Sequence, residues 1–552
     1  MMMPLMMASC KLFGIYYEVH NPKKPGEIPE FSEEINLLGE MTPFRDCFKV
    51  HYYDLSIKAI PETQTLEGKV GIYGDALSDF DVFQLDLHPN MSIASLMDLE
   101  TNTELDYSRK ERAIFINRHY KKGEAMTLEI TYFGSPVEAK SPPWNGGFVW
   151  KKDTEKNPWL GVACESEGAS LWWPLKDHTS EEPDSMRLHY TVPKDMVAVG
   201  NGQLEGSKVE GDWKTFDWFV SYPINTYNVT IYVGDFKHFA EEYDGLNGKL
   251  MKLDYYVLSK NVYRAKSHFD QVESILNVYE ELYGEYPWYR DGFKLIESPY
   301  AGMEHQTAIA YGNGYENDVN QTTDYIILHE IAHEWWGNSV TAFDLSDVWI
   351  QEGFATYSEA LYLEKTEGEK AYLNEMYWQR IMIGNKYPVI GVVGKRWFDS
   401  HKNADVYGKG SWVLHTLRGQ LENDSLFFDI IKSFYQSAKY KVVSSNDFEM
   451  WVNQKTGDDY SWFFDQYLRN NFAPELEYMI TLEGAFYYKW VNVTPGFNKL
   501  KLNLVINGDK VTVTPTTELQ KYKNGILSHN SFSSVQFDDA YTFYKVTPKK
   551  QF

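Results

Sequence analysis

From Phe48 to about Leu258, apolar and polar residues alternate with a period of two. Examples are Val50-His51-Tyr52-Tyr53-Asp54-Leu55-Ser56-Ile57, Met126-Thr127-Leu128-Glu129-Ile130-Thr131-Tyr132 and Tyr227-Asn228-Val229-Thr230-Ile231-Tyr232-Val233. Successive strand side chains point to opposite faces, so this pattern predicts an all-β domain punctuated by turns such as Asn201-Gly202 and Glu210-Gly211-Asp212. From Asn261 the period lengthens: Val262, Ala265, Phe269, Val272, Ile275, Leu276, Tyr279 and Leu282 recur at helical spacing as far as Pro287. Helical patterning then dominates to about Arg469, with helices predicted over 322–337, 347–367, 369–385, 407–422 and 460–469. After Pro474 alternation returns, over 500–506 and 510–514. The chain therefore reads as multi-domain α+β. A tether spans 1–45, an N-terminal all-β domain 46–258, a mainly α domain 259–473, and a small C-terminal β-domain 474–552.

Composition narrows the partners. There are 53 basic against 78 acidic residues in 552, a formal charge of −25, which opposes the basic stripe that a nucleic-acid backbone requires. No run of about 18 apolar residues exists, so no transmembrane helix is expected. The aromatic share of 16% suits extended β-structure or a peptide- or sugar-lined groove. Cys10, Cys47 and Cys164 form neither a disulfide framework nor a zinc knuckle.

At the amino end, Met7-Ala8-Ser9-Cys10 resembles a bacterial lipoprotein cleavage box, and a polar, Pro-containing stretch from His20 to Glu34 follows it. The apolar run before it is short and lacks a positive flank. Two readings stay open: a lipid anchor at Cys10, placing the chain on a bacterial cell envelope, or a loose start on a soluble cytoplasmic protein.

The chemistry gathers in the first strong helix of the middle domain. His329-Glu330-Ile331-Ala332-His333 places two imidazoles four residues apart, on one helical face, where they can share one zinc ion. Glu330 projects beside them, towards the place of an activated water. Thr322, Thr323 and Asp324 are cap candidates at the start of this helix, and Gly337-Asn338 a stop. Glu352 follows His333 after eighteen intervening residues and opens a second helix, with Ser346 or Asp347 as its cap. Two His, one Glu and an open fourth position make the donor set of a catalytic rather than a closed structural zinc site.

His329-Glu330-Ile331-Ala332-His333-Glu334-Trp335-Trp336-Gly337-Asn338, followed by Trp349-Ile350-Gln351-Glu352-Gly353-Phe354-Ala355, resembles the gluzincin aminopeptidases, the aminopeptidase N and leukotriene hydrolase family. Gln351 departs from that family's usual Asn. The resemblance implies a thermolysin-like catalytic domain, one zinc ion per chain held by His329, His333 and Glu352, and hydrolysis of the N-terminal peptide bond of peptides or aminoacyl compounds. Glu330 is then the general base towards a zinc-activated water. Ala301-Gly302-Met303-Glu304-His305 resembles the family's Gly-x-Met-Glu-Asn, which implies an amine-binding edge strand made of Gly302, Met303, Glu304 and His305. His305 stands where the family has Asn and would set a titratable ring beside the amine anchor. Cys164-Glu165-Ser166-Glu167, before Trp173-Pro174, resembles the segment carrying a second amine anchor. Spacing favours Glu165, while alternation would put Glu167 on the same face. Tyr407-Gly408-Lys409-Gly410 resembles Tyr-x-Lys-Gly, making Tyr407 the expected hydrogen-bond donor to the oxyanion. Only about 80 residues follow Pro474, and they alternate as strands where larger members carry a long helical cap, so a more open site is expected. The competing readings are a zinc endopeptidase, an epoxide hydrolase, and a non-catalytic peptide-binding protein on a peptidase fold.

Overall fold

Phe48–Ile60 lies near the middle of an eight-stranded sheet, with Leu55, Ile57 and Ala59 buried on its inner face. It pairs antiparallel with Thr65–Ala76 and parallel with Ser185–Pro193, so that Leu55 meets Val70 on one side and Leu188 on the other. A four-stranded sheet (Gly147–Lys152, Pro158–Ala163, Val197–Gly200, Ile231–Gly234) and a three-stranded one complete this β-region around a single apolar cluster. The computed structural model describes residues 30–318, 322–396, 404–522 and 535–550. Cys10 and its proposed anchor lie outside the described residues. From Glu33 the chain is no tether: Glu33–Gly39 and Pro43–Asp46 are short helices, with Leu38 and Arg45 buried.

The alternation at 227–233 forms a strand only in its second half. Thr226–Asn228 is a 3-10 turn because the Asn225 side chain accepts the Tyr227 N–H at 3.2 Å, a local bond that displaces ladder pairing. One sheet also spans the expected boundary at 258. Phe236–Asp244 and Leu250–Leu258 read as more of the β-domain, yet Leu250–Leu258 pairs in parallel with Phe293–Glu297. The resulting five-stranded sheet continues through Ile309–Tyr311 to Gly302–Met303 at its edge. Tyr243, Leu253, Tyr255 and Val257 bury into the same cluster as the helices, while Phe236, Tyr256 and Leu258 join the β-region's cluster, so this sheet packs against both.

The helical run after Asn261 splits into Val262–His268 and Gln271–Tyr283, with Phe269 turned into the core between them. Asp424–Ala438 and Ser445–Thr456 add two helices to those anticipated. Beyond Pro474, two small sheets form around Phe486–Val491 and Leu502–Ile506. They share the helices' apolar cluster, through contacts such as Trp462 with Phe497 at 5.4 Å. No described helix is long and apolar enough to cross a membrane.

Candidate metal centre

The helix Tyr325–Ala332 begins at Asp324, whose Oδ1 accepts the N–H groups of Ile326 and Ile327 at 2.9 and 3.4 Å. Asp324 is therefore the cap among the three candidates. The helix ends at Ala332, five residues before the expected stop, and Gly337 turns the chain at φ +114°. His333 is consequently a C-cap residue, which frees its ring to reach the Trp336 carbonyl through Nδ1 at 2.8 Å. The second helix, Trp349–Glu367, follows a 3-10 turn capped by Asp344, so neither Ser346 nor Asp347 caps it.

A carbonyl cannot donate, so His333 Nδ1 carries the proton and Nε2 presents a lone pair. The same holds for His329, whose Nδ1 faces the Glu359 carboxylate at 2.6 Å. The two Nε2 atoms then face each other at 3.1 Å, and both face Glu352 Oε2, at 3.3 and 3.5 Å. Three buried acceptors converging on one point repel unless a cation sits between them. Ligands about 2.0–2.1 Å from a tetrahedral zinc stand roughly 3.3 Å apart, so the donor spacing fits that ion. Glu304, Glu330 and His333 form a second acidic group, but it shares His333 with the first and belongs to the same centre.

Glu330 lines the cleft beside these donors. Burial pushes its carboxyl up to about 8, against the opposing pull of His329 and His333. Its position depends on Gly302, where a Cβ would lie 2.4 Å from Glu330 Oε1. The cleft is also lined by Glu165, Met303, Glu304 and Tyr407. Glu304 directly follows the edge strand and accepts the Tyr227 hydroxyl at 3.0 Å. Glu165 follows the end of Pro158–Ala163, in a turn closed by Gly168 N–H to the Cys164 carbonyl at 2.7 Å. Strand alternation no longer applies in that turn. Glu165 enters the cleft, whereas Glu167 bonds the Ser166 hydroxyl at 3.3 Å and is not among the lining residues. Tyr407 precedes the helix Gly408–Leu421, with its ring centroid 6.1 Å from that of His329.

His305 departs from expectation. It does not line the cleft; its Nδ1 meets the Tyr232 hydroxyl at 2.6 Å between the two large units, and burial holds its pKa down at about 3. The ring packs in the seam on Tyr232 and not against the cleft.

Residues 267–467 match the model of the peptidase family M1 domain. The chain carries an M1 peptidase domain. Among curated proteins it is similar to "Probable aminopeptidase 2" of Sulfurisphaera tokodaii, at 23% identity over 72% of this chain and 52% of the relative. It is also similar to "Aminopeptidase M1-D" of Oryza sativa subsp. japonica, at 27% over 36% of this chain and 24% of that protein. It thus spans about half the length of the archaeal relative and a quarter of the plant one. Among solved structures, the M1 zinc metallopeptidase of Deinococcus radiodurans superposes with a TM-score of 0.63 at 20% identity, covering 74% of this chain and 90% of that one. A mutant of the same enzyme bound to a Tyr-Ser-Ala substrate gives 0.63, covering 75% and 92%. These likenesses fix the fold: a multi-sheet β-region, the M1 domain and C-terminal strands.

Around the M1 centre, sequence reasoning missed three residues. Glu359, which orients His329, lies seven positions after Glu352 on the same helix, and that two-turn spacing was a usable signal. Tyr227 was hidden inside an apparent strand. Gln351 stands out in the sequence only as a departure from Asn, yet its Nε2 bonds Glu165 Oε1 at 3.3 Å and the Tyr227 hydroxyl oxygen at 3.2 Å.

Proposed function

We propose that this chain is a zinc-dependent aminopeptidase that removes N-terminal residues from peptides. The observation carrying this reading is that Glu165 and Glu304, from opposite sides of the seam, face one cleft together with His329, His333 and Glu352. A substrate's terminal ammonium is the complement of two such carboxylates, and holding it there sets the first peptide bond beside Glu330. His329, His333 and Glu352 would hold the zinc, which when bound supplies Lewis acidity and acidifies water. Glu330 takes a proton from the attacking water and returns it to the leaving amine. Tyr407 donates its phenolic hydrogen to the developing oxyanion. The aminopeptidase names of the relatives and the tripeptide substrate of the D. radiodurans mutant support the reading.

The test is a panel of fluorogenic aminoacyl amides beside their N-acetylated twins, with and without a chelator. Cleavage confined to free amines and abolished by the chelator is expected. Glu330→Gln should lower turnover by about 10²–10⁴-fold while zinc content stays constant. Cleavage of the acetylated twins would make the enzyme an endopeptidase, and unchanged turnover in Glu330→Gln would sink the mechanism.

A further inference from the structure

The two amine-facing carboxylates are joined by a hydrogen-bonded bridge. Gln351 Nε2 donates to Glu165 Oε1 at 3.3 Å and to the Tyr227 hydroxyl oxygen at 3.2 Å. The Tyr227 hydroxyl in turn donates to Glu304 Oε1 at 3.0 Å. The direction of this chain is determined. Gln351 Oε1 accepts the Ala342 N–H at 3.3 Å, and because a backbone N–H can only donate, the amide nitrogen must face the cleft. Every hydrogen in the bridge is then used once: both hydrogens of the Gln351 amide and the one of Tyr227. Each carboxylate spends its Oε1 on a neutral side-chain donor of the bridge.

The bridge spans three separate elements. Gln351 sits on the first turn of Trp349–Glu367, next to the metal donor Glu352. Tyr227 lies on the 3-10 turn Thr226–Asn228, which Asn225 caps. Glu304 follows the edge strand Gly302–Met303, and its backbone carbonyl accepts Asn338 Nδ2 at 2.7 Å. Gln351 and Tyr227 are themselves buried, so the bridge is shielded from competing water.

We infer that Gln351 and Tyr227 are positioning residues, which hold the Glu165 and Glu304 carboxylates at a fixed separation so that their second oxygens form a socket for a primary ammonium. Two carboxylates facing one cavity repel, and without an intervening donor they would turn apart before the amine arrives. The bridge cancels part of that repulsion with neutral hydrogen bonds and keeps the socket open towards the cation. The length of Gln351 matters here. Asn, the residue usual in the resembling family, is one methylene shorter, and would withdraw the amide by about 1.5 Å from both partners. The chain thus reaches its two anchors with a side chain suited to this particular gap. The inference rests on the aminopeptidase reading for its consequence in turnover, though not for its consequence in amine binding.

The experiment compares wild type with Tyr227→Phe, Gln351→Ala and Gln351→Asn in two assays. The first is turnover of a free-amine aminoacyl anilide, with zinc content measured on the same samples. The second is calorimetric binding of an amino-acid amide to chelator-treated protein, which reads the socket without metal or catalysis. Tyr227→Phe and Gln351→Ala are expected to raise KM about tenfold, with kcat altered less than threefold and zinc content constant. The amide should bind about tenfold more weakly in the same variants. Gln351→Asn should lie between wild type and Gln351→Ala in both assays. Unaltered KM and amide binding in Tyr227→Phe and Gln351→Ala would overturn the inference. So would loss of zinc or of kcat without a change in amide binding, which would place both residues in support of the metal site instead. If wild type turned over no substrate yet bound the amide through the bridge, the aminopeptidase reading would fail and the socket would stand.

Discussion

Gly302 shows how much of the centre depends on a missing atom. The Glu330 carboxylate lies where any Cβ at 302 would be, with Ile326 Cγ2 next to it at 2.7 Å. Gly302→Ala must therefore displace the Glu330 carboxylate, and a shift of about 1 Å at the proposed general base is costly. The variant is expected to lose at least about 10²-fold in kcat while retaining zinc, because neither His329 nor His333 is touched. Metal analysis beside single-turnover kinetics checks this; full activity would mean that Glu330 tolerates relocation. Glu359 acts differently, on the ring of a metal donor. By accepting from His329 Nδ1 it sets which nitrogen offers its lone pair, a role visible only once both helices are in place.

The helix Tyr325–Ala332 has eight residues, too few to hold its shape alone in water. Its start is fastened instead. Asp324 Oδ1 accepts two backbone N–H groups and Asn313 Nδ2 at 3.0 Å, while Oδ2 accepts the Tyr311 hydroxyl at 2.8 Å and faces His268 Nε2 at 2.7 Å. The cap thus ties the helix to the adjacent sheet and to Val262–His268. Asp324→Ala strands several buried donors at once and should destabilise the protein by about 2–4 kcal/mol, with weaker zinc retention. A urea titration reads the first effect and competition with a chelator the second. An unmoved midpoint would show that the cap is idle. The helix's early end matters equally: the turn after Ala332 brings the Trp336 carbonyl back to His333 Nδ1, whereas in a continued helix that carbonyl would point along the axis away from residue 333.

Across the molecule, the candidate metal donors belong to one unit, while Glu165, half of the proposed amine socket, comes from the other, so the cleft is built on the seam. Part of that seam is a buried row of four charges. Arg45 Nη2 meets Asp86 at 2.5 Å, the Asp177 N–H donates to Asp86 at 3.2 Å, and Arg396 Nη1 meets Asp177 Oδ1 at 3.0 Å. Arg396 Nε also reaches the Ser166 carbonyl at 3.3 Å, within the turn that carries Glu165. Gly168 has φ +87°, and a Cβ there would strike both Asp177 and Arg396. Removing one member of a buried ion row leaves its partner uncompensated, so Arg396→Ala should cost about 3–5 kcal/mol. Calorimetry would register this as a lowered or split transition; a melting curve superimposed on wild type would show the row to be neutral.

The candidate metal donors and the proposed general base could be picked out because they are local. His329, Glu330 and His333 share one helical segment, and helix periodicity relates their directions before any packing is known. Strand alternation likewise announced Phe48–Ile60 and Ala125–Gly134, since one buried face imposes its period on the residues. Alternation carries no record of which sheet a strand joins, so it does not show that Phe236–Asp244 and Leu250–Leu258 share a sheet with Phe293–Glu297. Glu165 and Glu167 are equivalent in a strand and became distinct only in a turn. His305 looked like part of the socket because it follows Glu304, but its ring packs on Tyr232 across the seam. Gln351 and Tyr227 lie 124 positions apart and share a hydrogen bond. Such a pairing leaves no trace in local periodicity, because the force that brings the two together is the burial of two separate cores against each other.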